Sequence, residues 1–101
     1  MKDLRTAIID AVDGTLRTLG AETRQLIYTH LKNYWQIGRE DIPANLTHFN
    51  EALRDLLGRE AKILLDEMFT SSLYHKLGLT LKRRVDWTFA TYVDNASKQL
   101  K

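Results

Sequence analysis

Three histidines are the side chains of this sequence with the widest chemical range, because imidazole binds metals and transfers protons near neutral pH. They are His30, His48 and His75, and they fall on three different predicted helices. None has a second histidine at the i, i+4 spacing that lets two imidazoles share one ion. The chain has no cysteine, which excludes thiolate metal sites, disulfides and cysteine nucleophiles. The sequence therefore predicts no metal site and no cofactor.

The segment Thr29–Asn33, THLKN, is similar to the phosphoacceptor stretch of histidine phosphotransfer domains. Those domains place leucine and lysine one position later relative to the histidine, followed by glycine. Here Leu31 follows His30 directly, and Asn33 replaces the glycine. His30 also projects toward the edge of the buried face of its helix, whereas a phosphoacceptor must be exposed. We predict a half-buried, hydrogen-bonded histidine, with phosphotransfer as an alternative.

Asp10 and Asp13, in IIDAVDGTL, invite comparison with the nucleophilic aspartates of haloacid dehalogenase-like phosphatases. That motif needs two aspartates separated by one residue, at the end of a parallel strand. Here two residues separate them within a helical pattern, and the chain is too short for that fold. The pairs Asp66-Glu67 and Glu40-Asp41 are interpreted as solvated charge. Since the sequence also lacks a phosphate loop and a nucleophile elbow, it predicts no catalytic residues and a non-enzymatic protein.

The strongest local concentration of charge is the run Lys82-Arg83-Arg84, with Trp87 close behind it. A basic cluster beside an exposed aromatic ring could contact an acidic protein surface, phosphates or anionic lipid. The net charge is only +2 and no helix displays a second basic stripe, so the pattern does not favour nucleic acid. We expect these four residues to bind a protein partner, with a DNA-binding transcriptional regulator as the alternative and no membrane partner.

Two apolar residues of the predicted fourth helix, Ile63 and Tyr74, lie nearly opposite its main apolar face. Residues of this type outside the main stripes, together with Trp87, could form a contact surface for a partner or for a second copy of the chain. Tyr74 therefore joins the candidate partner-binding residues, and a homodimer is one expected assembly.

Hydrophobic periodicity and helix-ending glycines predict an all-α fold, a compact bundle of about five helices in a single domain, residues 1–101. Gly14 is expected to permit close packing in the middle of the first helix. Pro43 predicts an extended connection at Ile42, because proline disfavours helical geometry in the residue before it. The predicted helices run from about Lys2 to Leu19, from Ala21 to Trp35, from an N-cap at Thr47 or Asn45 to Gly58, from Arg59 to Leu77, and from an N-cap near Asp86 onward.

The predicted core follows the apolar stripes of these helices. The fourth helix has the widest apolar face, so we expect it to be either central to the fold or shared with a partner. The residues assigned to the stripes of the second, fourth and fifth helices include Leu26, Ile27, Leu31 and Tyr34; Ala61, Leu64, Leu65, Phe69, Leu73 and Leu77; and Val85, Phe89, Tyr92, Val93, Ala96 and Leu100.

Composition is that of an ordinary globular protein, with 44% apolar and 28% charged residues. No apolar run approaches the roughly 20 residues that span a bilayer. The first residues, MKDLRTAIIDAVDG, carry acids inside their apolar pattern, unlike a signal peptide. We therefore expect a cytoplasmic protein.

Packing and capping residues between about Leu16 and Val93 carry a family resemblance. They are Leu19-Gly20, Ile42-Pro43, Phe49, Ala52-Leu53, Leu57-Gly58, Ala61-Lys62-Ile63-Leu64, Leu73-Tyr74, Leu77-Gly78 and Tyr92-Val93. The pattern resembles the archaeal output-domain family named after Nitrosopumilus, whose members occur alone or behind receiver and sensor domains. It departs from that family where Arg59-Glu60 replaces an expected second glycine. The resemblance implies a signalling or regulatory interaction module without known enzymatic activity, and it supplies no catalytic residues.

Overall fold

The computed structural model of the protein describes residues 3–100, and this part of the chain contains only helices and connections, without a strand. The predicted all-α fold of about five helices is therefore confirmed. Lys2, the predicted start of the first helix, lies outside the described residues. The elements are α1 (Leu4–Thr18), α2 (Ala21–Trp35), a 3₁₀-helix (Arg39–Ala44), α3 (Leu46–Leu57), α4 (Arg59–Leu77) and α5 (Phe89–Gln99).

Helix α4 is the centre of the bundle, because it packs against α1, α3 and α5. Three phenylalanines mark this junction. The Phe69 ring of α4 lies 5.9 Å from the Phe49 ring of α3 and 5.3 Å from the Phe89 ring of α5, measured between ring centroids. All three side chains are buried. The sequence predicted that α4 would be either central to the fold or shared with a partner, and in the structure it is central to the fold.

The buried row of α4 differs from the predicted one. Leu65, Phe69 and Leu73 are buried as predicted, but Ala61 and Leu64 are exposed. Lys62 is buried although its neighbour Ala61 is exposed. Two further polar residues of α4, Asp66 and Thr70, lie four and eight positions after Lys62 and are also buried. The predicted stripe therefore held for the middle of the helix and was wrong at its start.

The connection around Pro43 is helical, so the predicted extended conformation is wrong. Ile42 and Pro43 lie inside the 3₁₀-helix, where Ile42 is fully buried. Pro43 cannot donate the 3₁₀ hydrogen bond to the carbonyl of Glu40. The Arg5 guanidinium donates to that carbonyl instead, at 2.7 Å, so a side chain of α1 replaces the missing backbone donor.

Helix α5 begins later than predicted, with its N-cap two residues after Asp86. Thr88 is its N-cap, and its hydroxyl accepts from the Thr91 N–H at 3.4 Å. Val85 is fully exposed and Leu100 is 45% exposed, so both assignments to the buried stripe are wrong. Phe89 and the other predicted members of the stripe, Tyr92, Val93 and Ala96, are buried. The ten residues before Phe89, 79–88, form an irregular segment that we call the basic segment.

Two of the four residues predicted to form the buried stripe of α2 are exposed to solvent. Ile27 and Leu31 are buried as expected, but Leu26 is 57% exposed and Tyr34 is 74% exposed.

At the start of α3, Asn45 rather than Thr47 occupies the N-cap position. None of the helices within residues 3–100 has the length and hydropathy needed to cross a membrane.

Candidate partner-binding groove

A groove of about 480 Å³ lies between the first half of α4 and the basic segment. Arg59 and Ile63 line it from α4, and Arg83, Arg84, Val85 and Trp87 line it from the basic segment. The groove therefore brings together residues of the basic segment with two residues of α4, Arg59 and Ile63, that lie about 20 positions earlier in the sequence. Arg83, Arg84 and Trp87 are sequence-predicted contact residues, and Lys82 is exposed in the same segment.

Tyr92 of α5 fixes the backbone of the basic segment. Its hydroxyl accepts from the Arg84 N–H at 2.7 Å and donates to the Arg84 carbonyl at 3.1 Å. The Trp87 ring packs edge-on against the Tyr92 ring, with 5.1 Å between centroids, and the Arg84 guanidinium lies 5.7 Å from the centre of the Trp87 ring. Because both backbone polar groups of Arg84 are satisfied by one buried side chain, the segment has a defined conformation although it is not helical.

Val85 is the apolar residue that this conformation leaves in water. Its backbone is held next to the anchored Arg84, yet its side chain is fully exposed. Across the groove, Ile63 is 47% exposed. Burying such aliphatic side chains is favourable by about 1.5–3 kcal/mol each when the burial is complete. The groove therefore presents apolar surface whose burial would favour association.

The floor of the groove contains a buried ion pair between Lys62 and Asp66. Both side chains are only 8% exposed. Burial raises the pKa of Asp66 above its usual value, and this outweighs the opposing effects of the Lys62 hydrogen bond and charge and of the Phe89 N–H at the start of α5. The interpretation of Asp66 as solvated charge is thus wrong: its carboxylate links α4 to the first residue of α5.

The exposed charges that line the groove are three arginines, Arg59, Arg83 and Arg84, against two carboxylates, Glu67 and Asp86. Arg83 faces Glu67 at 3.9 Å, but both side chains are more than half exposed, and such a pair contributes little. Within residues 3–100, Arg59 and Arg84 form no ion pair with a carboxylate, and neither does Lys82, which is exposed in the basic segment but does not line the groove. An acidic ligand would find guanidinium donors here that no protein carboxylate occupies.

Tyr74 is not part of this surface, and its assignment as a contact residue is wrong. It is 1% exposed, because α5 covers this side of α4. Its hydroxyl donates to the Tyr92 carbonyl at 2.8 Å and accepts from the Asn95 amide at 3.0 Å. Tyr74 therefore supports the groove indirectly, by holding the helix that carries Tyr92.

Sequence reasoning did not find Val85, Arg59 or Tyr92 as parts of the site. Val85 fits the apolar periodicity of α5, and only the later start of that helix removes it from the stripe. Arg59 and Ile63 are four residues apart on α4, a spacing that puts them on one face. That spacing is a signal that the sequence does contain. No sequence pattern indicates the bond between Tyr92 and Arg84.

The histidines do not meet. His30 is half-buried as predicted, and its ring lies 5.0 Å from the Tyr34 ring, but its Nε2 is buried without a hydrogen-bond partner among the described residues. His48 and His75 are exposed on α3 and α4. Within residues 3–100, no three side chains of His, Asp or Glu lie together in a way that could hold a metal ion.

A second polar cluster surrounds Asp13, which is 2% exposed on α1. Its Oδ1 accepts from Arg24 Nε and from the Tyr28 hydroxyl, each at 2.9 Å, and lies 3.6 Å from Arg39 Nε. Its Oδ2 accepts from Arg17. Burial acts to raise the pKa of Asp13, but the hydrogen bonds from Tyr28, Arg24 and Arg17 and the charge of Arg24 together lower it to about 2. Asp13 is therefore an ionised structural carboxylate that joins α1, α2 and the 3₁₀-helix.

No family model matches the chain, and no curated protein matches it. Among solved structures, the chain is similar to the crystal structure of PH0832 from Pyrococcus horikoshii OT3, with a TM-score of 0.83 over 98% of each chain. The two sequences are 20% identical. At this identity the likeness shows the fold alone, and that fold is shared with an archaeal protein over nearly the whole length of both chains.

Proposed function

We propose that this protein is a non-enzymatic, all-helical protein–protein interaction module that acts in regulation or signal output in the cytoplasm. Its partner presents an acidic segment with at least one apolar side chain, and this segment binds in the groove between α4 and the basic segment. The observation that carries the proposal is the full exposure of Val85 on a backbone that Tyr92 holds in place.

The chemistry of the groove defines the chemistry of the partner. Val85 and Ile63 supply apolar surface, while Arg59 and Arg84 supply guanidinium groups without a carboxylate partner among residues 3–100. Guanidinium groups bind carboxylates through paired hydrogen bonds, so the rim favours aspartate or glutamate on the partner. Complementary charge contributes chiefly to specificity and to the rate of association.

The small groove favours a weak and reversible complex. A volume of about 480 Å³ accommodates a few side chains of a partner. Interfaces at the low end of the size range belong to transient encounters. Reversible binding is what a regulatory module requires, and the resemblance to the archaeal output-domain family supports the same role.

The test is capture of a partner from native lysate with a charge-reversed variant, Lys82→Glu/Arg83→Glu/Arg84→Glu. We expect this variant to fold like the parent and to lose the captured protein. The matched control is Lys32→Glu/Arg54→Glu/Lys76→Glu, which changes the net charge equally at exposed residues of α2, α3 and α4. The control should retain the partner. Equal capture by the groove variant, or equal loss by the control, would remove the groove as the binding surface.

A DNA-binding regulator is the second candidate, and the unpaired Arg59, Lys82 and Arg84 are the observation that favours it. Contact with several phosphates makes binding fall steeply with salt, with a slope of about 0.9 per phosphate on logarithmic axes. A duplex DNA mobility shift at low salt measures this directly. No shift at low salt would eliminate the DNA-binding candidate.

Phosphotransfer by His30 gains no support, because Nε2 is buried.

A further inference from the structure

Three arginines from three elements converge on one buried carboxylate. Arg17 lies in the last turn of α1, Arg24 near the start of α2 and Arg39 at the start of the 3₁₀-helix, and all three face Asp13. We call these three residues the arginine cluster. Three guanidinium groups against one ionised carboxylate leave an excess of two positive charges.

Neighbouring charges do not remove this excess. Arg39 Nη1 also faces Glu40 at 3.1 Å, and Arg5 faces the same carboxylate at 3.8 Å. Including both residues gives four guanidinium groups and two carboxylates, so the local charge is still two positive units. The formal excess here equals the net charge of the whole chain, +2.

The guanidinium groups are held in place but open to solvent. Asp13 is 3% exposed at its side chain, whereas Arg17, Arg24 and Arg39 are 72%, 36% and 40% exposed. Arg17 uses only Nη2 in its bond to Asp13, and Arg24 uses Nε and Nη2. Arg17 Nε and Nη1 and Arg24 Nη1 have no acceptor among the described residues. The buried carboxylate therefore orients arginine donors whose remaining N–H groups are free for a ligand.

We propose that the arginine cluster is a binding site for a phosphate monoester dianion. Such a group carries about −1.5 to −2 charge near neutral pH and three strong acceptor oxygens. The charge of this group matches the excess of two positive charges, whereas a monocarboxylate would neutralise only one of them. The oxygens of the phosphate group are acceptors suited to the forked guanidinium donors of Arg17, Arg24 and Arg39. This site is independent of the groove and of the function proposed for it.

The experiment is a titration followed by NMR at the arginine Nε–H signals, with phenyl phosphate as the probe at constant ionic strength. We expect saturable shifts at Arg17, Arg24 and Arg39 and none at Arg54, an exposed arginine of α3. Acetate should bind less tightly than phenyl phosphate, because it carries only one negative charge. Affinity should also fall between about pH 7.5 and about pH 5.5, because the second pKa of a phosphate monoester is about 6.

The variant Arg17→Gln separates binding from folding. Arg24 and Tyr28 still hold Asp13 in this variant, so the free energy of unfolding should change little. Affinity for phenyl phosphate should fall about tenfold, the loss expected for one charge-assisted contact. The control Arg54→Gln should bind like the parent. Unchanged affinity in Arg17→Gln, or shifts that rise linearly without saturation, would overturn the proposal.

Two further probes distinguish the source of the phosphate. Inorganic phosphate represents a free ligand, and a phosphoserine peptide represents a modified side chain of a protein. Tighter binding of the peptide would assign the site to a phosphorylated protein, and equal or tighter binding of inorganic phosphate would assign it to the free ion. If neither probe nor phenyl phosphate produces saturable shifts at the arginine cluster, the cluster is structural only and the proposal fails.

Discussion

The hydroxyl of Tyr92 binds both backbone polar groups of Arg84, accepting from its N–H at 2.7 Å and donating to its carbonyl at 3.1 Å. A side chain of α5 thereby fixes the conformation of the basic segment at the residue next to Val85. The exposure of Val85 is therefore a property of a fixed backbone and not of a frayed loop. This relationship connects the packing of α5 to the shape of the groove.

Removing the hydroxyl of Tyr92 should loosen the basic segment while leaving the arginine and exposed apolar side chains of the groove in place. We expect Tyr92→Phe to lower the free energy of unfolding by about 1–2 kcal/mol, because two hydrogen bonds are lost while the ring still packs. Amide hydrogen exchange should accelerate within residues 79–88 and partner capture should weaken. The control Tyr34→Phe removes the hydroxyl of an exposed tyrosine and should do neither. Unchanged exchange in the basic segment would show that Tyr92 does not hold it.

Neutralising the buried carboxylate of α1 should destabilise the protein strongly. We expect Asp13→Asn to cost about 2–3 kcal/mol, because Arg24 and Tyr28 lose a charged acceptor that is nearly inaccessible to water. The exposed Asp55 of α3 provides the control. Asp55→Asn should change stability by less than about 0.5 kcal/mol. Urea denaturation of both variants measures the difference, and equal costs would mean that Asp13 does not organise this junction.

Asp13 also predicts the acid dependence of stability. Its pKa is about 2 in the folded protein against an ordinary value of 3.8. The folded state thus binds this proton less readily than the unfolded state, so the stabilisation is complete above about pH 4 and is lost as the pH falls towards 2. The linked free energy is about 2 kcal/mol. Asp66 acts in the opposite sense, because burial raises its pKa and its protonation removes a cost of folding.

The measurement for this acid dependence is the urea midpoint of parent and Asp13→Asn between neutral pH and about pH 2. The variant should lose less stability on acidification, by about the same 2 kcal/mol. Parallel pH profiles for parent and variant would contradict the low pKa of Asp13.

Gly14 offers a stabilising substitution. A Cβ at this position would meet no atom of another part of the protein within 4 Å, so the expected role of Gly14 in close packing is wrong. We expect Gly14→Ala to raise the free energy of unfolding by about 1 kcal/mol through helix propensity. Gly20→Ala is the contrasting change, because Gly20 has a φ of +106° and should resist any side chain. Thermal unfolding distinguishes them, and a lower melting temperature for Gly14→Ala would contradict this interpretation.

The sequence predicts those features that depend on local chemistry. The start of α2 and both bounds of α4 agree with the structure because Gly20, Gly58 and Gly78 adopt the positive φ that ends or separates helices. The end of α2 agrees for a different reason, because Gln36 is its left-handed C-cap. The basic segment and Trp87 were also found from composition alone. Each of these features can be identified within a window of a few residues.

Features that depend on contacts between distant elements were missed. Tyr74 has the periodicity of a surface residue on α4, and only the position of α5 buries it. The Asp13 junction joins residues 11 and 15 positions apart in sequence, and nothing in the sequence around Asp13 indicates this. The bond from Arg5 to the Glu40 carbonyl of the 3₁₀-helix likewise joins residues 35 positions apart in sequence. Local patterns cannot report these partners, because tertiary packing selects them.

The most direct test of the groove is photo-crosslinking from its exposed apolar residue. Benzoylphenylalanine placed at Val85 should be tolerated because the side chain is fully exposed, and the same group at Arg54 of α3 is the control. After irradiation in native lysate, we expect crosslinks from position 85, and not from position 54, to a protein segment with acidic residues beside an apolar one. Crosslinks only to nucleic acid or to a second copy of the chain, or equal products from both positions, would contradict the account.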